Sequence, residues 1–159
     1  MRKISVLIVD DHSVVRMGLA AIIGIQKDLA VCGEAASGTD AIALAARLHP
    51  DVIIMDLMMP GMDGAESTAE VLKASPGSKV LILTTFGTSA ELARAIKAGA
   101  SGAITKNLTN KELSDAIRGT AKGERCFTQE IAQSLEDQQD EPDFTPRQQS
   151  ILDSITRGL

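Results

Sequence analysis

The sequence contains no tryptophan and no tyrosine, and its three phenylalanines bring the aromatic share to only 2%. A core must therefore be built from Val, Ile, Leu, Ala and Met. So few rings also exclude a surface that binds nucleic acid by stacking bases. Positive charge is not in excess: 16 Lys and Arg stand against 21 Asp and Glu, a formal net charge of −5. A binder of phosphate backbones needs a basic face, so the chain as it stands is not one. Cysteine is scarce. Cys32 and Cys126 are far apart and belong to no C-x-x-C pair or Cys/His cluster, so two buried free thiols are expected. Long hydrophobic runs are missing as well. The opening Met1-Arg2-Lys3-Ile4 leads into a short apolar segment closed by Asp10-Asp11. That run is too short and wrongly flanked for a signal peptide or a membrane span, so a cytoplasmic protein with no membrane partner is expected.

What is present is an ordinary globular balance, with 44% hydrophobic and 23% charged residues in 159. This length suits one domain with an appendage and needs no staples. Short apolar runs alternate with helical patterns. Ser5 to Val9 predicts a buried strand, Ser13 to Ile25 a helix, Leu29 to Ala35 a strand and Thr39 to Leu48 a helix. Val52 to Met55 is a third strand ending on Asp56. A turn-rich loop to Gly64 and a helix to about Ala74 follow it. Val80 to Leu83 is a strand ending on Thr84-Thr85, Ser89 to Ala98 a helix, Ala103 to Thr105 a strand ending on Lys106, and Asn110 to Ala121 a helix. On the first helix, Val14, Gly18, Ala21, Ile22 and Ile25 are expected inward, with Ser13 the better-placed cap. Five strand–helix repeats with continuous apolar strands specify a doubly wound parallel sheet covered on both faces.

In such a sheet, ligands bind at the carboxyl ends of the strands. The polar residues there are Asp10 and Asp11, Asp56, Thr84 and Lys106. Crowded carboxylates repel one another unless a cation sits among them. Oxygen ligands suit a hard ion such as Mg²⁺. A carboxylate can be the nucleophile that forms an aspartyl phosphate. Phosphoryl transfer is mostly positioning plus neutralisation of charge, which a metal ion, an ammonium and a hydroxyl can share. Taken singly, each of these side chains has a plainer role: a solvated acid, a helix cap, a surface lysine. The set of five converging on one rim is what points to chemistry. Thr85 is the alternative donor if the strand end slips by one. His12 and His49 lack metal-ligand spacing and are expected at helix edges. The methionines around Asp56 are expected to pack rather than to ligate.

Val9-Asp10-Asp11-His12, Met55 through Gly64, Leu83-Thr84-Thr85 and Lys97 through Gly102 followed by Lys106 resemble the receiver domain of bacterial two-component response regulators. The resemblance covers about the first 120 residues. It implies a flavodoxin-like fold with strand order 2-1-3-4-5, and a phosphoryl group accepted on Asp56 from a sensor histidine kinase. It further implies Mg²⁺ held by Asp11, Asp56 and the Met58 carbonyl, with Asp10 acting through water and Thr84 and Lys106 contacting the phosphoryl group. The family's usual aromatic switch position is Ala103, and Asn107 follows Lys106 where many receivers have Pro. Met58 and Phe86 flank the site as apolar side chains expected to slow attack by water.

Thr128 caps a predicted helix, and Gln138 to Asp143 forms an acidic linker. Phe144-Thr145-Pro146-Arg147 through Leu159 resembles the opening of a NarL/LuxR-type helix-turn-helix domain. The expected layout is a receiver over 1–122, a helix and linker over 123–143 and the start of a DNA-binding domain over 144–159. The recognition helix that reads DNA would lie beyond Leu159. The outer face of the last two helical units is expected to support a homodimer in the phosphorylated state.

Other functions fit less well. An aspartyl phosphatase needs a second acid near the nucleophile, and Leu57 and Met58 stand there instead. The chain is therefore not expected to be an enzyme beyond its own phosphorylation and dephosphorylation. A nucleotide-binding domain would carry a glycine-rich phosphate loop after the first strand, where this chain has acids.

Overall fold

The computed structural model describes residues 3–84 and 89–127. Among them, β1 (Ile4–Val9), α1 (Ser13–Ile25), β2 (Leu29–Ala35), α2 (Gly38–Leu48) and β3 (Val52–Asp56) form the first half. The second half is α3 (Gly64–Ala74), β4 (Lys79–Thr84), α4 (Ser89–Lys97), β5 (Gly102–Thr105), α5 (Asn110–Ala121) and β6 (Cys126–Phe127). All pairings are parallel, and the sheet order is β2-β1-β3-β4-β5-β6. The expected order of the first five strands holds. The sixth strand extends the sheet past residue 122 and was not foreseen.

Period-two alternation divides the strands between two cores. Leu7, Val9, Ile53, Met55, Val80 and Ile82 face Ala41, Ala45, Val71, Leu92 and Ile96 of α2, α3 and α4. Val6, Ile8, Val52, Ile54, Leu81 and Leu83 face Leu19 and Ile23 of α1 and Leu113 and Ile117 of α5. Burying each Val, Leu, Ile or Met side chain among them contributes roughly 1.5–3 kcal/mol. This two-sided burial explains why the strands read as unbroken apolar runs.

Helix starts are set by side chains. Ser37 accepts from Asp40 N, Asp63 accepts from Glu66 N, and Thr109 with Glu112 makes a reciprocal capping box on α5. The expectation for α1 is corrected. Its N-cap is His12, with no side-chain capping bond, and Ser13 is the first helical residue. Leu19 and Ile23 face the sheet, and Ile22 packs partly buried beside them as expected, whereas Val14 (78%), Met17 (70%) and Ile25 (75%) are exposed. The helix thus carries an outward apolar stripe. His49 ends α2 in the left-handed region, at the helix edge as expected. Cys32 and Cys126 are free but half-buried rather than buried. Burial pushes the Cys32 thiol up, so it is not a reactive thiolate at neutral pH. No helix among the described residues is long and apolar enough to cross a membrane. Thr85, Phe86, the predicted helix at Thr128, the linker and the helix-turn-helix segment lie outside the described residues.

Candidate functional site

Chain order reverses around β1, which lies between β2 and β3. The crevice outside the carboxyl ends of β1 and β3 is therefore the place for a ligand. Register fixes what lines it. Val9 pairs with Met55, Asp56 with Leu83, and Thr84 with Thr105. Asp10 and Asp11 follow Val9, and Lys106 follows Thr105, so all five predicted residues reach one rim. The Lys106 N–H donates to the Thr84 carbonyl at 2.9 Å, which ties the ends of β4 and β5 together.

The side chains converge. Lys106 Nζ lies 3.2 Å from Asp10 Oδ2 and 3.6 Å from Asp56 Oδ1. The Met58 N–H points at Asp56 Oδ1 at 3.4 Å. Asp10, Asp56 and Thr84 are buried. Asp10, Asp11, His12 and Asp56 each present a ligand atom, all within 4.8 Å of one another. Asp11 Oδ1 is buried and receives no hydrogen bond. An orphaned carboxylate oxygen beside two further acids costs free energy unless a cation meets it. The donor set thus fits a divalent ion.

Burial pushes Asp56 up to about 6, and the charge of Asp10 adds to the rise; Lys106 and the Met58 N–H pull the other way, and Asp11 pushes it up further. With no metal bound, Asp56 therefore gives up its proton reluctantly. Any cation that settles among the acids favours the ionised carboxylate.

Supporting contacts hold the frame. Arg16 Nη1 donates to the Asp10 carbonyl at 2.6 Å, and its Nε lies 3.4 Å from Glu34 Oε1, joining the ends of β1 and β2. Gly64 packs on the Asp56 backbone: a Cβ there would stand 2.7 Å from the Asp56 carbonyl oxygen. The Met58 side chain is 53% exposed at the rim. Ala103 is fully buried and sits between Ile82 and Phe127 in the sheet. His12 is at a helix edge, but its Nδ1 also lies 3.1 Å from a carboxylate oxygen of both Asp10 and Asp11.

Comparison with known proteins decides the family. The response regulator receiver domain matches residues 6–118. The chain belongs to this family. It is 41% identical to the response regulator protein VraR of Staphylococcus aureus (strain Mu3 / ATCC 700698), over 98% of this chain and 77% of VraR. A LuxR-family two-component response regulator from Aurantimonas sp. SI85-9A1 superposes with a TM-score of 0.80 at 34% identity, covering 87% of this chain and 99% of that one. The signal receiver domain of the response regulator NarL from Mycobacterium tuberculosis gives 0.73 at 33% identity, covering 77% and 99%. This receiver is that of a NarL/LuxR-type two-component response regulator, a class that controls transcription.

Proposed function

We propose that Asp56 is the phosphoacceptor, with a sensor histidine kinase as donor. The observation that carries this reading is the meeting of Asp10, Asp11, Asp56 and Lys106 at the switch point of the sheet. An Asp56 carboxylate oxygen attacks the phosphorus of the donor's phosphohistidine. The O–P bond forms as the N–P bond breaks, and the bonding pair leaves on the donor imidazole, which takes up a proton. Lys106 releases its hold on Asp10 and Asp56 to meet a phosphoryl oxygen, and the Thr84 hydroxyl donates to another. Asp10, Asp11, Asp56 and the Met58 carbonyl would hold Mg²⁺, which supplies neutralisation of charge on the transferring group. The exposed stripe of α1 begins beside this rim, where a protein donor must settle.

Phosphorylation places about two negative charges at the rim. We read the added charge as drawing Thr84 and Lys106 inward and altering the face formed by α4, β5 and α5, which supports a homodimer. DNA is reached through a complete helix-turn-helix domain, of which the tail resembles only the opening. Intact-mass analysis after acetyl phosphate and Mg²⁺ tests the acceptor. A phosphoryl adduct is expected on the wild type and none on Asp56→Asn. An unmodified wild type would count against the reading.

A further inference from the structure

We propose that Arg16 is a positioning residue for the acid rim. Its guanidinium fixes the peptide that joins Asp10 to Asp11, and Glu34 fixes the guanidinium. A side chain on the edge strand of the sheet thereby helps to set how tightly the rim takes a divalent cation. This rests on the reading of the rim as a cation site and adds to it two residues that hold no ion.

The two acids stand where the sheet no longer holds the chain. The last pairs of β1 are Val9 with Ala35 and Val9 with Met55. The Asp10 N–H still donates to the Ala35 carbonyl at 3.1 Å. The Asp10 carbonyl lies past both ladders and accepts instead from Arg16 Nη1 at 2.6 Å. A charge-assisted bond of this kind is roughly twice as strong as one between neutral groups. Asp10 and Asp11 hang from opposite ends of this one peptide, so a rotation of it displaces both carboxylates. Asp11 Oδ1 receives no hydrogen bond, which leaves the backbone to place it.

Arg16 reaches the peptide at a cost to α1. Its N–H donates to the His12 carbonyl at 3.1 Å, which puts the residue one turn into the helix. Long helical side chains run back toward the N-terminus, and this carries the guanidinium to Asp10. A cation at that end opposes the helix dipole. The first turn of α1 has no acidic residue and no side-chain cap to offset it. The offset comes from Glu34 of β2, whose Oε1 lies 3.4 Å from Arg16 Nε. The Arg16 side chain is only 19% exposed, so its planar fork is held between carbonyl and carboxylate. Nη1 meets the Asp10 backbone, so Arg16 acts through the peptide and competes for no carboxylate oxygen of the rim.

The test measures Mg²⁺ binding by calorimetry to the whole chain and to Arg16→Met, Arg16→Lys, Glu34→Gln and Asp11→Ala. The ¹⁵N order parameter of the Asp11 amide is recorded alongside, in chelator. Arg16→Met is expected to weaken Mg²⁺ binding about tenfold or more, as loss of a partner behind a metal ligand does, and to lower the Asp11 order parameter. Arg16→Lys, which keeps the charge and one donor, should recover part of the affinity. Glu34→Gln should show a smaller loss in the same direction. Wild-type affinity in Arg16→Met overturns the proposal, whether or not that variant is less stable, because Arg16 is then a brace alone. Should Arg16→Met fail to fold, wild-type affinity in both Arg16→Lys and Glu34→Gln overturns it. In either case the rim stands as a cation site if Asp11→Ala loses the ion. A wild type that binds no Mg²⁺, or an Asp11→Ala chain that binds it unchanged, overturns the proposal together with the reading of the rim.

Discussion

Lys106 pairs with Asp10 at 3.2 Å, a shorter approach than its 3.6 Å to Asp56. The ammonium therefore spends its charge first on the more deeply buried acid. Removing it leaves Asp10 without its counter-ion inside the fold. Lys106→Met should lower stability at neutral pH by about 2–3 kcal/mol, toward the low end for a broken buried pair because the lysine is partly exposed. Denaturant unfolding with and without Mg²⁺ checks this. The ion should restore part of the loss, and a variant as stable as wild type without Mg²⁺ would refute the pairing.

Asp56 predicts a pH dependence of opposite sign to that of most carboxylates. Its folded value is raised to about 6 from 3.8. The folded state therefore holds the proton more tightly than the unfolded chain does. The stabilising contribution is fully present below the unfolded value and is lost as pH rises through about 6. Above that, the ionised carboxylate costs on the order of 2–3 kcal/mol without metal. Asp56→Asn should accordingly be more stable than wild type at pH 7.5 in chelator, with the gap closing near pH 4. A gap that persists at pH 4, or that reverses at pH 7.5, is inconsistent with this environment.

Gly64 sits where its missing side chain matters. A Cβ would press on the Asp56 carbonyl and on Leu57 Cα, each at 2.7 Å. Gly64→Ala should cost roughly 1–3 kcal/mol, as overpacking does, and should slow phosphorylation by acetyl phosphate by moving the nucleophile. Gly61→Asn is the control: its φ of 80° is open to Asn, and nothing lies within 4 Å of an added Cβ. Equal phosphorylation rates for Gly64→Ala and wild type would show that the backbone yields elsewhere.

Met58 stands exposed at the lip of the site. If Asp56 carries the phosphoryl group as proposed, an apolar side chain there would keep water from being oriented for attack on the acyl phosphate. Met58→Asn, which can hold a water, should shorten the lifetime of the phosphorylated form several-fold. Loss of adduct is followed by mass after removal of the donor. Identical decay would remove Met58 from the account.

Much of this molecule was legible in its residues. The central strands announced themselves because both faces are buried, which gives unbroken runs such as Val52 to Met55 and Val80 to Leu83. Their polar endings named the rim, since strand ends in this fold share one edge. The α1 face was not legible. Ser13 to Ile25 is apolar nearly all round, so periodicity alone offers two stripes, and tertiary contact chose Leu19 and Ile23. The strand Cys126–Phe127 was missed because two residues carry no period. Gly102 is its only advance sign: a side chain there would strike the Cys126 backbone. His12 was seen as a helix edge, which it is. Its approach to the carboxylates depends on a turn that brings Nδ1 back over Asp10 and Asp11, and no spacing rule along the chain shows that.

On the proposed reading Asp56, and no other carboxylate of the cluster, takes the phosphoryl group. Borohydride reduces an aspartyl phosphate to homoserine, so treating the acetyl-phosphate-labelled chain and mapping its peptides identifies the acceptor. Homoserine is expected at position 56 alone, dependent on Mg²⁺ or another divalent ion. Homoserine at position 10 or 11, or a labelled chain with none at 56, would contradict that assignment.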